Sequence, residues 1–215
     1  MIMKKSFLAI LLTGSIYCQA QYKVDEDMPD TRRKTEVFAK LPKDDVRSDI
    51  STFALSGIDE SIGKAPLKKV PITSTKENQM VFEGEDIKAV VTTTPFDFNK
   101  HKLDYDEKYI VKIDKRTYYG GYPKMPKTQI SNITLIIGKD TVAIPATAYN
   151  DLFNLNLTYK DKAGKERSTN AVYLSKLDNR VYIYLFSKDD TGSYEVTFVI
   201  HARKYIRRVL DFDFM

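Results

Sequence analysis

Apolar residues occupy both faces of one stretch near the C-terminus, and this pattern predicts the centre of a β-sheet. Residues 180–211 form three extended runs that are separated by two turn signals. Two apolar sets alternate along the first run: Val181, Ile183 and Leu185 with Tyr182, Tyr184 and Phe186. Such a run is typical of a strand that is covered on both sides. We therefore expect it to lie in a hydrophobic core.

The second and third runs continue this sheet. Beyond a polar turn at residues 189–193, the second run places four apolar side chains on one face: Tyr194, Val196, Phe198 and Ile200. Its other face carries Glu195, Thr197, Val199 and His201. Successive side chains of a strand point to opposite faces, so this alternation predicts a strand, and residues 204–211 predict another.

Earlier strand signals begin at about residue 79 and complete the fold prediction. Residues 133–144 predict a hairpin that turns at Gly138, and residues 146–153 favour one or two helical turns across a sandwich end. Roughly ten short strands without βαβ alternation indicate an all-β, mainly antiparallel fold. We predict a single β-sandwich with one or two short helices, and a closed β-barrel is the alternative.

The N-terminus has the pattern of a signal peptide. Two lysines precede an apolar run at residues 7–16, and small residues stand at Cys18 and Ala20. We expect residues 1–20 to be removed, which predicts a periplasmic or secreted protein with no membrane span after cleavage. The alternative is a lipoprotein anchored at Cys18, although a lipobox needs a small residue where Tyr17 stands.

Residues 21–76 are predicted to form a charged N-terminal extension or linker, followed by the β-sandwich domain at residues 77–215. A short helix is expected after Pro42, because apolar residues recur at i, i+4 and i+7, namely Val46, Ile50 and Phe53. This helix either caps the sheet or presents a partner-binding face. The prolines Pro66 and Pro71 favour a linker or an edge strand, since proline is excluded from central strands.

Charge and cysteine content exclude several classes of function. Cys18 is the only cysteine and leaves with the signal, so the mature chain can form no disulfide or thiolate site. The formal net charge of +5 falls to +3 when Lys4 and Lys5 are removed. This mild, dispersed charge argues against a nucleic-acid partner.

Sequence motifs of common catalytic and cofactor sites are absent. The chain has no G-x-S-x-G elbow, phosphate-binding loop, dinucleotide fingerprint or H-E-x-x-H helix. Its two histidines, His101 and His201, would make a zinc site only if the fold joined them with a carboxylate. We therefore expect no enzyme activity, no catalytic residue, no cofactor and no metal.

Acidic pairs leave a hydrolase as a further alternative, because glycoside hydrolysis needs only two carboxyl groups across a cleft. The candidates are Asp104, Asp106, Glu107, Asp189, Asp190 and Glu195. Aspartate is also expected in turns, where its side chain bonds nearby backbone amides. We favour this structural interpretation.

The most suggestive surface feature is a tyrosine loop, which comprises Tyr118, Tyr119, Gly120, Gly121 and Tyr122. Tyrosine offers large, rigid contact area with a polar tip, as used at protein interfaces and in stacking on sugar rings. Alternatively, one or two rings pack back over the sandwich end while the glycines permit the turn.

A basic cluster near the C-terminus is a second candidate surface. It consists of Arg203, Lys204, Arg207 and Arg208. Strand alternation splits these residues over two faces, and basic residues also protect sheet edges from aggregation.

These features predict an exported, non-enzymatic β-sandwich that binds another envelope-associated or secreted protein. The predicted protein-binding roles include that of an inhibitor. The layout of signal, charged lead and C-terminal β domain resembles that of small exported bacterial proteins. The alternative is a glycan-binding module that uses the tyrosine loop. A hydrolase with an acidic pair ranks third.

Overall fold

The computed structural model describes residues 67–175, 179–189 and 192–212. These ranges form fourteen strands: β1 Lys68–Val70, β2 Ile72–Lys76, β3 Gln79–Gly84, β4 Ile87–Pro95, β5 Leu103–Asp106, β6 Tyr109–Ile113, β7 Thr128–Ile137, β8 Asp140–Val142, β9 Tyr159–Lys160, β10 Glu166–Arg167, β11 Ala171–Ser175, β12 Arg180–Asp189, β13 Gly192–His201 and β14 Lys204–Phe212. The helical elements in the described ranges are two single 3-10 turns, Phe98–Lys100 and Ala146–Ala148. No helix in these ranges has the length and apolar character of a transmembrane segment.

The first sheet has the order β1-β11-β12-β13-β14, with β12 at its centre. Strands β12, β13 and β14 form the antiparallel meander that the alternation predicted. Val181, Ile183 and Leu185 face the core between the sheets, whereas Tyr182 and Tyr184 are buried on the opposite, outer face. The prediction of a strand covered on both sides is confirmed.

The second sheet has the order β2-β3-β4-β7-β8. Strands β4 and β7 pair along nearly their whole length, from Ile87 opposite Ile137 to Pro95 opposite Thr128. The predicted hairpin is confirmed as β7–β8, which turns at Gly138 with φ +64°. Glycine suits this position because a side chain would be strained in the left-handed region.

The inner faces of the two sheets enclose one core. It includes Met80, Phe82 and Leu135 from the second sheet and Ile183 and Phe198 from the first. Fully burying an apolar side chain of this size stabilises a fold by about 1.5–3 kcal/mol. Both sheets keep open edges, so the β-sandwich prediction is confirmed and the alternative of a closed barrel is not.

The sheets are more extensive than the sequence predicted. They begin with β1 and β2, before the predicted domain start at residue 77, because Val70 reaches the core and β1 pairs with β11. Both strands lie at sheet edges on either side of Pro71, as the proline content indicated. The strand count exceeds ten partly because β9 and β10 are exposed two-residue strands without apolar alternation. The structure forms one helical turn, Ala146–Ala148, within residues 146–153, where one or two turns were predicted.

The remaining N-terminal predictions concern residues outside the described ranges. These are the signal peptide at residues 1–20, the extension up to residue 66 and the helix after Pro42. Two small hairpins, β5–β6 and β9–β10, complete the described structure beside the two main sheets.

We expect Thr197→Val to stabilise the chain, because Thr197 carries a buried hydroxyl with no hydrogen-bond partner among the described residues. The residue lies near the middle of β13 and is 1% exposed. An unsatisfied buried hydroxyl costs about 1–3 kcal/mol, and valine keeps the shape of the side chain. The free energy of unfolding in urea should rise by about 1 kcal/mol.

Ser187→Ala is the control for this experiment. The Ser187 hydroxyl donates to the Asn154 carbonyl oxygen at 2.6 Å. Its removal should lower the free energy of unfolding by about 1 kcal/mol. A loss of stability in both variants would contradict the assignment of an unsatisfied hydroxyl at Thr197.

Candidate functional site

The tyrosine loop lies in the β4–β7 connection, residues 96–127, at the end of the second sheet. Its backbone is fixed to the segment that follows β8. The Tyr119 amide donates to the Asp151 carbonyl at 2.9 Å, and the Phe153 amide donates to the Tyr119 carbonyl at 2.8 Å. Tyr119 and Leu152 form a parallel bridge. The loop is therefore held by strand-like backbone pairing.

The three tyrosine rings lie in different environments. Tyr118 and Tyr119 are buried, whereas Tyr122 is 52% exposed. The Tyr118 ring packs edge-on against Phe153, with 5.8 Å between centroids, and the Tyr119 ring lies 5.1 Å from that of Phe212. Two of the rings thus pack over the sandwich end, as the alternative interpretation of the loop describes. Tyr122 alone presents its ring to solvent.

The Tyr118 hydroxyl connects the loop to its surroundings. It donates towards two carbonyl oxygens, 3.2 Å away at Ile110 and 3.3 Å away at Lys124. Burial raises the pKa of Tyr118 to about 12, and the neighbouring Tyr122 adds to the increase. The Ile110 amide donates in turn to the Pro123 carbonyl at 3.2 Å. The Tyr118 hydroxyl and the Ile110 amide therefore join the loop to β6, and the hydroxyl keeps its proton near neutral pH.

Gly120 and Gly121 permit the close approach of the loop to the sandwich. Their φ angles are +90° and +95°, in the region that favours glycine. A Cβ atom at Gly120 would lie 2.1 Å from the Phe153 carbonyl oxygen, and one at Gly121 would lie 2.5 Å from Asn154 Nδ2. The contact at Gly120 is with backbone, so a side chain there requires the chain itself to move.

A pocket of about 190 Å³ lies between the tyrosine loop and the ends of β13 and β14. All five loop residues contribute to its wall, and Gly192, Ser193 and Phe212 form part of the opposite side. Clefts for small-molecule ligands typically measure roughly 300–1,000 Å³. The size of this pocket is better matched to one side chain of a partner than to a drug-sized ligand.

An ion pair between buried Asp151 and partly buried Arg208 supports the loop from behind, and the sequence interpretation missed it. Arg208 binds both carboxylate oxygens of Asp151, with distances of 2.6 Å from Nη1 to Oδ1 and 2.8 Å from Nη2 to Oδ2. The same guanidinium donates to the Ala148 carbonyl at 3.2 Å, and Arg116 lies 3.8 Å from Asp151. Bidentate pairs of this kind fix orientation as well as distance. Strand β14 thus holds the segment to which Tyr119 is bonded.

The basic cluster is dispersed, as strand alternation predicted. Arg208 points inwards to Asp151, whereas Arg207 is buried on the outer face of the first sheet. Arg203 forms an exposed ion pair with Asp140 of the second sheet, and Lys204 is exposed. The four side chains therefore do not form one basic surface.

The predicted acidic candidates occupy separate places. Three of them lie on the β5–β6 hairpin: Asp104, Asp106 and Glu107. Glu195 accepts a hydrogen bond from the Tyr184 hydroxyl at 2.6 Å. Asp189 ends β12, and Asp190 lies outside the described residues. The wall of the pocket at the tyrosine loop contains no carboxylate from the described part of the chain.

The two histidines also have separate environments. His101 Nδ1 lies 2.7 Å from an Asp114 carboxylate oxygen, and its ring stacks on Phe96 with 4.8 Å between centroids. His201 is exposed at the end of β13. Within the described ranges, no group of three or more His, Cys, Asp or Glu residues is arranged to hold a metal ion.

A second pocket, which the sequence interpretation did not identify, measures about 280 Å³ and is more polar. Glu77, Lys76 and Glu166 contribute to its wall. Glu166 accepts a hydrogen bond from the Thr158 hydroxyl at 2.8 Å. These residues lie in turns and on short edge strands without a sequence motif, so only the fold brings them together.

Exposed large apolar side chains are concentrated on the connection that carries the tyrosine loop. The described ranges contain seven of them, and five lie in residues 96–127. We call these five the aromatic surface: Phe98, Tyr105, Tyr109, Tyr122 and Met125. The same connection contributes Ile110, Ile113 and Tyr118 to a separate small core, in which they pack with Phe153. The aromatic surface therefore has its own apolar support.

Comparison with known proteins adds no functional information. No protein-family model, no curated protein and no solved structure matches the chain.

We expect Gly120→Ala to distort the tyrosine loop and to destabilise the chain strongly. The left-handed backbone angle alone costs a non-glycine residue about 1–2 kcal/mol. The clash with the Phe153 carbonyl adds to that cost, and urea unfolding measures the sum. Gly164→Ala is the control, because Gly164 has φ +76° but nothing within 4 Å of the added Cβ atom. Equal losses in the two variants would contradict the steric role of Gly120.

We expect the Tyr118 hydroxyl to make the free energy of unfolding fall as the pH rises from neutral to alkaline values. Its pKa is near 10 in the unfolded chain and about 12 in the folded one, so the folded state favours the neutral hydroxyl. The stabilising contribution is complete below pH ~10 and is lost as the pH rises towards 12. Tyr118→Phe should therefore reduce the fall in melting temperature between pH ~8 and pH ~11.

Tyr159→Phe is the control for this pH dependence, since Tyr159 is exposed on β9 and lies outside the tyrosine loop. Its melting temperature should fall with pH as steeply as that of the parent chain. An unchanged pH slope in Tyr118→Phe would contradict the proposed contribution of the Tyr118 hydroxyl.

Proposed function

We propose that this chain is an exported, non-enzymatic protein-binding module and that its binding site is the aromatic surface with the adjoining pocket. The observation that carries the proposal is the position of five of the seven exposed large apolar side chains on one connection. Tyrosine and other aromatic residues are enriched among the residues that dominate binding energy at protein interfaces.

The supporting structure favours binding because it limits the entropy lost on association. The tyrosine loop is already fixed through Tyr119 and Asp151, and Arg208 fixes the Asp151 side chain. Ordering a rotamer-rich side chain costs about 0.5–1.5 kcal/mol at an interface, and a preformed loop avoids much of this cost. The pocket beside Tyr122 offers a place for one anchoring side chain of the partner.

Charge on the same connection favours a partner with an acidic rim. Residues 96–127 contain eight Lys and Arg residues and five Asp and Glu residues, an excess of three positive charges. Among the positive side chains, the Lys108 ammonium lies 5.3 Å from the centre of the Tyr109 ring. Charges around an apolar centre contribute mainly to specificity and association rate.

A glycan-binding module is the second candidate, but the loop geometry supports it less. Stacking on a sugar ring needs an accessible aromatic face, and the rings of Tyr118 and Tyr119 are buried. Tyr122 is left as the stacking residue of the loop. Retention of a polysaccharide by the chain would favour this candidate over the first.

We expect Tyr122→Ala to abolish partner capture while Tyr159→Ala preserves it. The parent chain and both variants, without the expected signal peptide, are used to capture proteins from an envelope extract of the native host. Tyr159 is 48% exposed on β9, outside the aromatic surface, and is therefore a matched control. Truncation of a central interface residue costs 2 kcal/mol or more, which corresponds to roughly 30-fold weaker binding.

Two outcomes would contradict the proposal. A partner that binds the parent chain and Tyr122→Ala equally well does not use the aromatic surface. Retention of a polysaccharide without any stoichiometric protein would support the glycan-binding candidate instead.

A further inference from the structure

The second pocket, of about 280 Å³, lies at one end of the second sheet, where its inner face becomes polar. Met80 and Ile130 are buried in the core, and the residues opposite them on neighbouring strands are threonines. Thr75 pairs with Met80, and Thr93 pairs with Ile130. Directly opposed residues of antiparallel strands lie on the same face, so both threonines are on the inner face. The pocket therefore continues the interior of the sandwich.

The hydroxyl of Thr93 is the feature of this pocket that the fold itself does not satisfy. Thr93 is 5% exposed and contributes to the pocket wall. Its backbone amide donates to the Asn78 carbonyl at 2.9 Å, but its hydroxyl has no hydrogen-bond partner among the described residues. A buried hydroxyl without a partner is destabilising, and valine has the same shape without that cost. A polar group of a ligand in the pocket would satisfy this hydroxyl.

The rest of the wall comes from the segment before β9 and from β10. Leu155 and Leu157 are each 7% exposed and line the pocket. The Leu157 carbonyl accepts a hydrogen bond from the Ser168 hydroxyl at 2.7 Å, which fixes the segment. The Thr158 hydroxyl donates to the Glu166 carboxylate at 2.8 Å and orients it. Apolar side chains with a few fixed polar groups are the usual lining of a small-molecule site.

The charged groups of the wall are negative in sum. Glu77 and Glu166 contribute two negative charges and Lys76 one positive charge, which leaves −1. None of the three forms an ion pair with another described residue. All three are exposed, whereas Thr93 is buried, so the charges lie at the mouth of the pocket and the Thr93 hydroxyl lies deeper. Hydrogen bonds between charged groups are the stronger ones, so two carboxylates without a cation favour a ligand with an ammonium group.

We propose that the second pocket binds a small hydroxylated amine of about the size of one amino sugar. The ammonium group binds the carboxylates at the mouth, and a hydroxyl of the ligand bonds to Thr93. Threonine suits this contact because its hydroxyl both donates and accepts. The carbon skeleton lies against Leu155 and Leu157. The pocket volume is just below the roughly 300–1,000 Å³ of typical ligand clefts, which matches a ligand smaller than a drug.

Two matched pairs of compounds test the charge requirement. D-glucosamine differs from D-glucose, and serinol from glycerol, by an amino group in place of one hydroxyl. At pH ~6 both amines and both glutamates are charged. NMR titrations use the chain without the expected signal peptide. We expect each amine to bind at least about 10-fold more tightly than its uncharged counterpart, because a hydrogen bond between charged groups is stronger than one between neutral groups.

Two variants test the two parts of the site. Glu166→Gln should weaken binding of both amines about 10-fold, because it removes a negative charge. Thr93→Val should weaken binding of the amines at least about 5-fold without lowering the melting temperature, since valine removes an unsatisfied hydroxyl. A purely structural hydroxyl would give the reverse result, with lower stability and unchanged binding. The controls are Glu83→Gln and Thr94→Val on the outer face of the second sheet, and both should bind like the parent chain.

Amide chemical shifts locate the bound amine. The changes on addition of D-glucosamine should be concentrated at residues 75–77, 93, 128, 155–158 and 166, which form the pocket wall or directly adjoin it. Changes concentrated in residues 96–127 would place the amine at the aromatic surface and would overturn the proposal.

Three further outcomes would overturn it. These are no binding of either amine, equal binding of an amine and its uncharged counterpart, and binding that Glu166→Gln and Thr93→Val leave unchanged. The proposal does not depend on the proposed partner-binding site, which lies on residues 96–127. Tyr122→Ala should bind both amines like the parent chain, so a failure of this proposal is distinguishable from a failure of partner capture.

Discussion

The first sheet is apolar on both faces, and the rest of the structure depends on keeping both faces from water. The second sheet covers the inner face through residues such as Phe82 and Leu135. Exposing the five large apolar members of the outer cluster would cost on the order of 8–15 kcal/mol, at about 1.5–3 kcal/mol for each side chain. A domain is stable by only about 5–15 kcal/mol in total. Burial of the outer cluster is thus a condition of stability.

Tyrosine suits this outer face because it combines a large apolar ring with a polar tip. The Tyr184 hydroxyl donates to Glu195 at 2.6 Å, and burial, together with the Glu195 charge, raises the pKa of Tyr184 far above its usual value. The ring contributes buried area while the hydroxyl satisfies a neighbouring carboxylate. This pair allows Glu195 to lie within an otherwise apolar layer.

Sequence periodicity predicted the sheets well but the site only in part. The alternation around Tyr182 and Ile183 is local, and it correctly indicated a strand with two covered faces. The hairpin at Gly138 was also found, since its turn and both flanking runs are contiguous. The burial of Tyr118 and Tyr119 depends on Phe153 and Phe212, which are distant in sequence. Pattern analysis could identify the loop but not decide which of its rings would remain exposed.

The ion pair under the loop shows the same dependence on tertiary contacts. Asp151 and Arg208 are separated by 57 residues, and no spacing rule connects them. A buried charge is tolerated only with a partner, so each of these residues requires the other. Because Arg208 faces inwards and Val209 faces the outer cluster, β14 contributes to both the support of the tyrosine loop and the covered face of the sheet. The position of the proposed binding surface and the stability of the first sheet therefore depend on one strand.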